Sequence, residues 1–220
     1  MPAQPAVLIT GGEGDLAAAL RAEFVSAGWN VLAPGRGELD VTNTAQAARY
    51  FSSLTKLDLL VNNAGIRRDA LLATQMMEDR DEVFDVCLRG AFLCSRAAAG
   101  LMQAQGSGHI VNIGSYSALS GPAGQTAYAA AKAGLIGLTQ SMASELGPHG
   151  IRVNCVLPGW LETKFAKGVP EEVTRRVLAE HALGKFNTPV DAARFIAFLH
   201  TITAVSGQVF QLDSRISRSL

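Results

Sequence analysis

The chain has 220 residues, enough for one sizeable hydrophobic core and short for two ordinary domains, so a single domain spanning residues 1–220 is expected. Lys plus Arg number 19 and Asp plus Glu also 19, which leaves no basic field to hold nucleic acid or anionic lipid. Cys87, Cys94 and Cys155 show no C-x-x-C spacing and no clustered histidines, which argues against a metal site or disulfide framework and fits a reducing, cytoplasmic setting.

In chain order, the first apolar run, Ala6–Thr10, is far shorter than an export signal core or the roughly 20 residues of a membrane span, so a soluble, unexported protein is expected. Further short apolar runs follow at Asn30–Ala33, Leu57–Asn62, His109–Ile113 and Ile151–Leu157, with a last strand at Gln208–Leu212. Between them Ala17–Ala27, Asp79–Gln103, Thr126–Leu146 and Val190–His200 have helical spacing. This alternation predicts an α/β fold: one Rossmann-like, doubly wound parallel sheet covered on both faces. Only four residues separate Ala33 from Glu38-Leu39-Asp40-Val41, too few for a parallel crossover, so that segment is read as a loop or token strand. The helix that would join strands 2 and 3 is then missing.

After the first strand, Thr10-Gly11-Gly12-Glu13-Gly14-Asp15-Leu16 opens a helix, the setting in which glycines let a backbone approach a dinucleotide pyrophosphate held by exposed N–H groups. A plain tight turn is the other reading of those glycines. At the end of the second strand, where an acidic residue would select NAD, stands Arg36, suited to the 2′-phosphate of NADP. Glu13, in the adjacent loop, opposes that phosphate, so NADP is favoured and NAD stays an alternative.

Tyr128 and Lys132 lie an i, i+4 step apart on one helix face, where an ammonium favours phenolate over phenol and so is expected to lower the tyrosine pKa. Tyr128 could then give a proton to a carbonyl oxygen or take one back. Ser115 follows a strand's C-terminal end, where its hydroxyl could steady a developing oxyanion. Taken singly, the pair could be an idle helix-surface contact and Ser115 an ordinary loop serine. No G-x-S-x-G elbow surrounds Ser115, which disfavours a serine hydrolase.

Together, Thr10-Gly11, Asn62-Asn63-Ala64-Gly65, Ser115, Tyr128-x-x-x-Lys132 and Pro158-Gly159 resemble the short-chain dehydrogenases/reductases over nearly the whole chain. Gly65-Ile66-Arg67-Arg68-Asp69-Ala70-Leu71-Leu72 and Tyr128-Ala-Ala-Ala-Lys132-Ala-Gly-Leu look most like the 3-oxoacyl-[acyl-carrier-protein] reductases. The resemblance implies an NADP- or NAD-dependent oxidoreductase acting on a small carbonyl or alcohol. Ser115, Tyr128 and Lys132 would be catalytic, Lys132 also holding the nicotinamide ribose. Asn62, Ala64 and Gly65 would line the adenine-ribose side and Asp40, before Val41, the adenine; Pro158, Gly159 and Thr163 would sit at the nicotinamide. The helices Asp79–Gln103 and Thr126–Leu146 carry more apolar surface than one sheet face needs, and in the family they pack between subunits, so a homodimer or homotetramer is expected.

Four departures stand out. Cys87 occupies the position of a family asparagine that helps hold a proton-relaying water, and a thiol is a poor substitute for an amide. The glycine loop is one residue shorter than the subgroup's, with Ala17 replacing its last glycine. The missing helix trims the adenosine wall. Asp213-Ser214-Arg215 replaces Asp-Gly-Gly, which could alter subunit packing. These departures motivate a competing reading, a nucleotide-binding or scaffold homologue with weakened catalysis.

Overall fold

The computed structural model describes residues 4–216. Its centre is a six-stranded, wholly parallel sheet in the order β2-β1-β3-β4-β5-β6. The strands are β1 (Ala6–Ile9), β2 (Asn30–Leu32), β3 (Leu59–Asn62), β4 (Gly108–Ile113), β5 (Ile151–Leu157) and β6 (Val209–Gln211). Helices α1 (Asp15–Ser26), α2 (Thr44–Ser52), α3 (Met77–Phe84), α4 (Gly90–Gln105), α5 (Ser117–Ser120), α6 (Thr126–Leu146), α7 (Glu171–Ala179) and α8 (Pro189–Thr201) make the connections.

Successive strand residues face opposite sides, and the two halves of the core follow that alternation. Val7, Ile9 and Val61 meet Leu20 and Phe24 of α1 and Ile196 of α8 on one face. Leu8, Leu60 and Ile110 meet Phe51 of α2 and Met102 of α4 on the other. Each fully buried Leu or Phe contributes about 1.5–3 kcal/mol, which is why strands this short hold together. Strand order reverses between β1 and β3, so the loops after these two strands border the crevice in which such sheets bind ligands.

Glu38–Val41 forms no strand, and no helix lies between Ala33 and it. The next strand in the sheet is therefore β3, and the crossover to it does carry a helix, α2, that the apolar pattern did not reveal. Its start is local chemistry: the Asn43 side chain caps it by accepting from the Gln46 N–H at 3.0 Å. The helix expected over Asp79–Gln103 is one rod from Met77 to Gln105, interrupted by a single widened π turn at Asp85–Arg89. π turns mark an extra residue in a helix and often occur at functional sites; here the extra residue's turn contains Cys87.

Candidate active site

The glycine loop packs against both neighbouring loops. A Cβ on Gly12 would stand 2.0 Å from the Ala33 carbonyl oxygen, so only glycine fits there, and its N–H donates to the Pro34 carbonyl at 3.0 Å. Thr10 is buried; its hydroxyl accepts from the N–H groups of Asn63 and Ala64, both at 3.0 Å, locking the β1 loop to the β3 loop. Asn63 answers by donating its amide to the Thr10 and Gly11 carbonyls. Helix α1 begins after Gly14 with no side chain capping it, and Asp15 stands in its first turn. The loop's close backbone approach and the uncapped helix start fit a dinucleotide pyrophosphate. Leu16 is buried beneath the loop as part of the core rather than facing the crevice.

After β2, the Arg36 side chain is 71% exposed and lies 3.5 Å from Asp40. Burial pushes the Asp40 carboxyl up, but hydrogen bonds from Thr42 and the Arg36 charge outweigh it and hold the group below its ordinary range. Glu13 folds against Gly35, beside Arg36, so an acid and a base border the same corner. Val41 is buried and packs on Gly90 at the end of the π turn: a Cβ there would come within 2.6 Å of it. The side chain of Asn62 does not line the crevice. It is 3% exposed and donates to Ser95 and Asn112, each at 2.8 Å, as the first rung of a buried ladder that continues from Asn112 to Thr139 at 2.9 Å.

Helix α6 brings Tyr128 and Lys132 together below the crevice. The ammonium lies 5.7 Å from the Tyr128 ring centroid and donates to the Ile113 carbonyl at 2.7 Å, and both residues are buried. Gly65 closes the same space; a Cβ on it would stand 3.7 Å from the Lys132 Nζ and 3.8 Å from the Cys87 Sγ. The Ser115 hydroxyl accepts from the Ser117 N–H at 3.1 Å, which turns its loop toward Tyr128.

The expected lowering of the tyrosine pKa is not what the protein alone produces. Burial dominates and pushes the Tyr128 phenol up, Cys87 adds to this, and the Ser115 hydroxyl and the Arg67 charge pull only partly the other way. A buried phenol pays for losing water before its neighbours act. The ammonium spends its strongest contact on a backbone carbonyl, and it faces the ring rather than the phenolic oxygen alone.

After β5, the Pro158 carbonyl accepts from the Asn187 amide at 2.8 Å. Gly159 has a left-handed φ of +84°, and a Cβ would stand 2.8 Å from that of Asp213, so this turn requires glycine. Thr163 precedes Lys164, whose N–H donates to the Asp15 carboxylate at 2.6 Å, carrying the chain across the mouth of the crevice.

Sequence reasoning passed over Arg67 as a site residue. Its guanidinium lies 5.7 Å from the Phe165 ring, donates to the Lys167 carbonyl at 3.2 Å and pairs with Asp69 at 3.4 Å, while the Phe165 ring is 6.0 Å from Tyr128. Its place two residues after Gly65 was the available signal. Cys87 also does more than a thiol was expected to do. Its sulfur accepts from the Ile66 N–H at 3.4 Å and donates to the Ile66 carbonyl at 3.3 Å, meeting one donor and one acceptor of the loop after β3. Among the described residues no cluster of His, Cys, Asp or Glu is arranged to hold a metal, and no helix is long and apolar enough to cross a membrane.

With this geometry in view, comparison with known proteins is specific. Residues 12–214 match the family described as enoyl-(acyl carrier protein) reductase. The chain is 43% identical over 160 residues to the 3-oxoacyl-[acyl-carrier-protein] reductase FabG of Thermotoga maritima, covering 72% of this chain and 65% of that protein. It is 36% identical over 213 residues to the reductase of the same name from Aquifex aeolicus, covering 94% and 85%. A solved structure from Beutenbergia cavernae, described as an NAD(P)-dependent gluconate 5-dehydrogenase with bound NADP, superposes with a TM-score of 0.87 at 28% identity, covering 97% of this chain and 96% of that one. The chain belongs to the short-chain dehydrogenases/reductases, a family of NAD(P)-dependent oxidoreductases.

Proposed function

We propose that this chain is an NADP-preferring reductase that interconverts a 3-oxoacyl thioester and the corresponding 3-hydroxyacyl thioester. The observation that carries the reading is the convergence of Ser115, Tyr128 and Lys132 beneath a glycine-lined crevice at the switch between β1 and β3. The relatives named as 3-oxoacyl reductases support the substrate class, and the NADP held by the Beutenbergia structure supports the cofactor.

When bound, the cofactor would supply the hydride. The chain's own residues manage the proton. Tyr128 donates it to the substrate oxygen as that oxygen becomes an alkoxide, Ser115 steadies the same oxygen, and the Lys132 ammonium offsets the charge left on the phenolate. Burial holds the phenol's pKa up, so Tyr128 keeps its proton until the substrate oxygen takes on negative charge. Arg36 is the group placed to meet a 2′-phosphate, in exchange for its exposed contact with Asp40.

The competing reading, a binding homologue with weakened catalysis, still rests on Cys87, whose two bonds to Ile66 hold the loop after β3, and the assay below separates the two. For assembly, we infer self-association through α4 and α6. A groove of 680 Å³ runs between them, lined by Phe84, Leu88, Phe92 and Leu138, with Phe92 left 49% exposed. A light-scattering mass of one chain would contradict this.

A panel of carbonyl substrates, including a 3-oxoacyl thioester, assayed with NADPH and NADH tests the function. Reduction of the thioester with preference for NADPH is expected; turnover of other carbonyls only would remove the substrate class, and no turnover of any would favour the binding homologue.

A further inference from the structure

The C-terminal segment lies against the site of its own chain. Asp213 is fully buried at its side chain and is held by Arg215 through Nε at 2.9 Å and Nη2 at 2.5 Å. Gln211 donates to the same carboxylate at 2.6 Å. The far side of the Arg215 guanidinium covers the Tyr116 ring at 3.7 Å from its centroid, and Tyr116 is the residue next to Ser115. Asp213 also packs on Gly159, and its carboxylate is 3.8 Å from the His181 Nε2 at the end of α7. The backbone continues the link: Ser214 accepts from the N–H groups of Ala182 and Leu183, each at 3.1 Å, through its carbonyl and its hydroxyl.

We propose that Arg215 is a positioning residue that sets the substrate-side wall, tying the Ser115–Tyr116 loop to the end of α7 through its grip on Asp213. The proposal rests on the reading that places Ser115 and the segment between β5 and β6 on the substrate side. A planar guanidinium is needed for this work: two of its donors converge on the Asp213 Oδ2 while its face stacks on an aromatic ring, which neither lysine nor glycine reproduces. Asp213, buried and charged, would hold no such geometry without it.

The test uses the full-length chain with NADPH and acetoacetyl-CoA. Arg215→Gly is expected to raise KM for acetoacetyl-CoA about tenfold, with kcat and NADPH affinity changed by less than about twofold. Tyr116→Leu should reproduce this and Tyr116→Phe, which keeps the ring, should not. Should Arg215→Gly fold poorly because Asp213 is orphaned, the double variant Asp213→Asn, Arg215→Gly removes the charge and should show the same KM effect. An unchanged KM, or a loss shared equally by NADPH binding, overturns the proposal. If the unaltered chain does not reduce acetoacetyl-CoA, the functional reading fails and amide hydrogen exchange decides the clamp by itself. Faster exchange over residues 171–183 in Arg215→Gly, with α1 unchanged, supports it; equal exchange overturns it.

Discussion

The two ends of the sheet bury polar side chains for different purposes. At the C-terminal ends of the strands, Tyr128 and Lys132 are buried, with the Lys132 ammonium held by the Ile113 carbonyl, and the proposed function gives the phenolic oxygen a proton to exchange. At the N-terminal ends, His109 is fully buried with its Nε2 3.1 Å from the Asn154 amide, and its ring stacks on that of His200 at 5.6 Å between centroids. Arg152 there donates to the carbonyls of Leu199, His200 and Ile202, which closes the end of α8. Burial shifts pKa values at both ends, and Arg152 and His200 also line a cavity of 500 Å³, but the Arg152 guanidinium there is engaged in holding α8 to the sheet. A perturbed group is thus a site candidate only when its surroundings leave it something to act on.

The largest expected effect separates the ends by activity. Tyr128→Phe should cut turnover by about 10³-fold or more, in the range of a lost general acid, with the melting temperature within about 2 °C of the parent. Ser115→Ala should cost about 10²-fold by the same assay, since one oxyanion contact is lost. At the opposite end, Arg152→Ala should leave turnover per folded molecule unchanged and lower stability by about 2–3 kcal/mol in urea denaturation, because three carbonyls lose their donor.

Acid should find the same end. Burial, with the Arg152 charge, holds His109 well below 6.5 and lowers His200 from 6.5 to about 4. The unfolded chain therefore binds more protons than the folded one in this interval, so the contribution is whole above about pH 6.5 and is lost as pH falls toward 4. His200 keeps some solvent contact, so His200→Asn should recover only about 1–2 kcal/mol of the acid loss in chemical denaturation at pH 4.5 relative to pH 7.5. The smallest effect is expected at Cys87. Asparagine there should change turnover less than about threefold, while Cys87→Val, which can make neither Ile66 bond, should lower it more. A large gain on Cys87→Asn would favour the reading of a catalytically weakened homologue.

What the sequence disclosed follows from how each feature is encoded. The central strands were legible because a parallel strand buried on both faces is a nearly continuous apolar run, as in Ala6–Ile9 and Leu59–Asn62. Tyr128 and Lys132 were legible because helical spacing fixes their relation within five residues. Helices α2 and α7 were not: each has nine residues and is polar on average, so its few apolar positions, although spaced on one face, make too short a pattern to stand out. The π turn depends on a contact between Cys87 and Ile66, 21 positions apart, and the Arg215 clamp joins residues 99 positions apart. The direction of the Tyr128 shift was misjudged for the same reason, since the depth of burial is set by the whole fold and not by the neighbouring lysine.

The proposed function requires direct hydride transfer from a nicotinamide held in the crevice to a substrate carbonyl beside Tyr128. The most direct measurement supplies NADPH deuterated at its transferable position together with acetoacetyl-CoA and locates the label by mass spectrometry and NMR. Deuterium on the new carbinol carbon of the 3-hydroxy product is the expected result. An unlabelled product, or no product under conditions where NADPH binds, would contradict the claim.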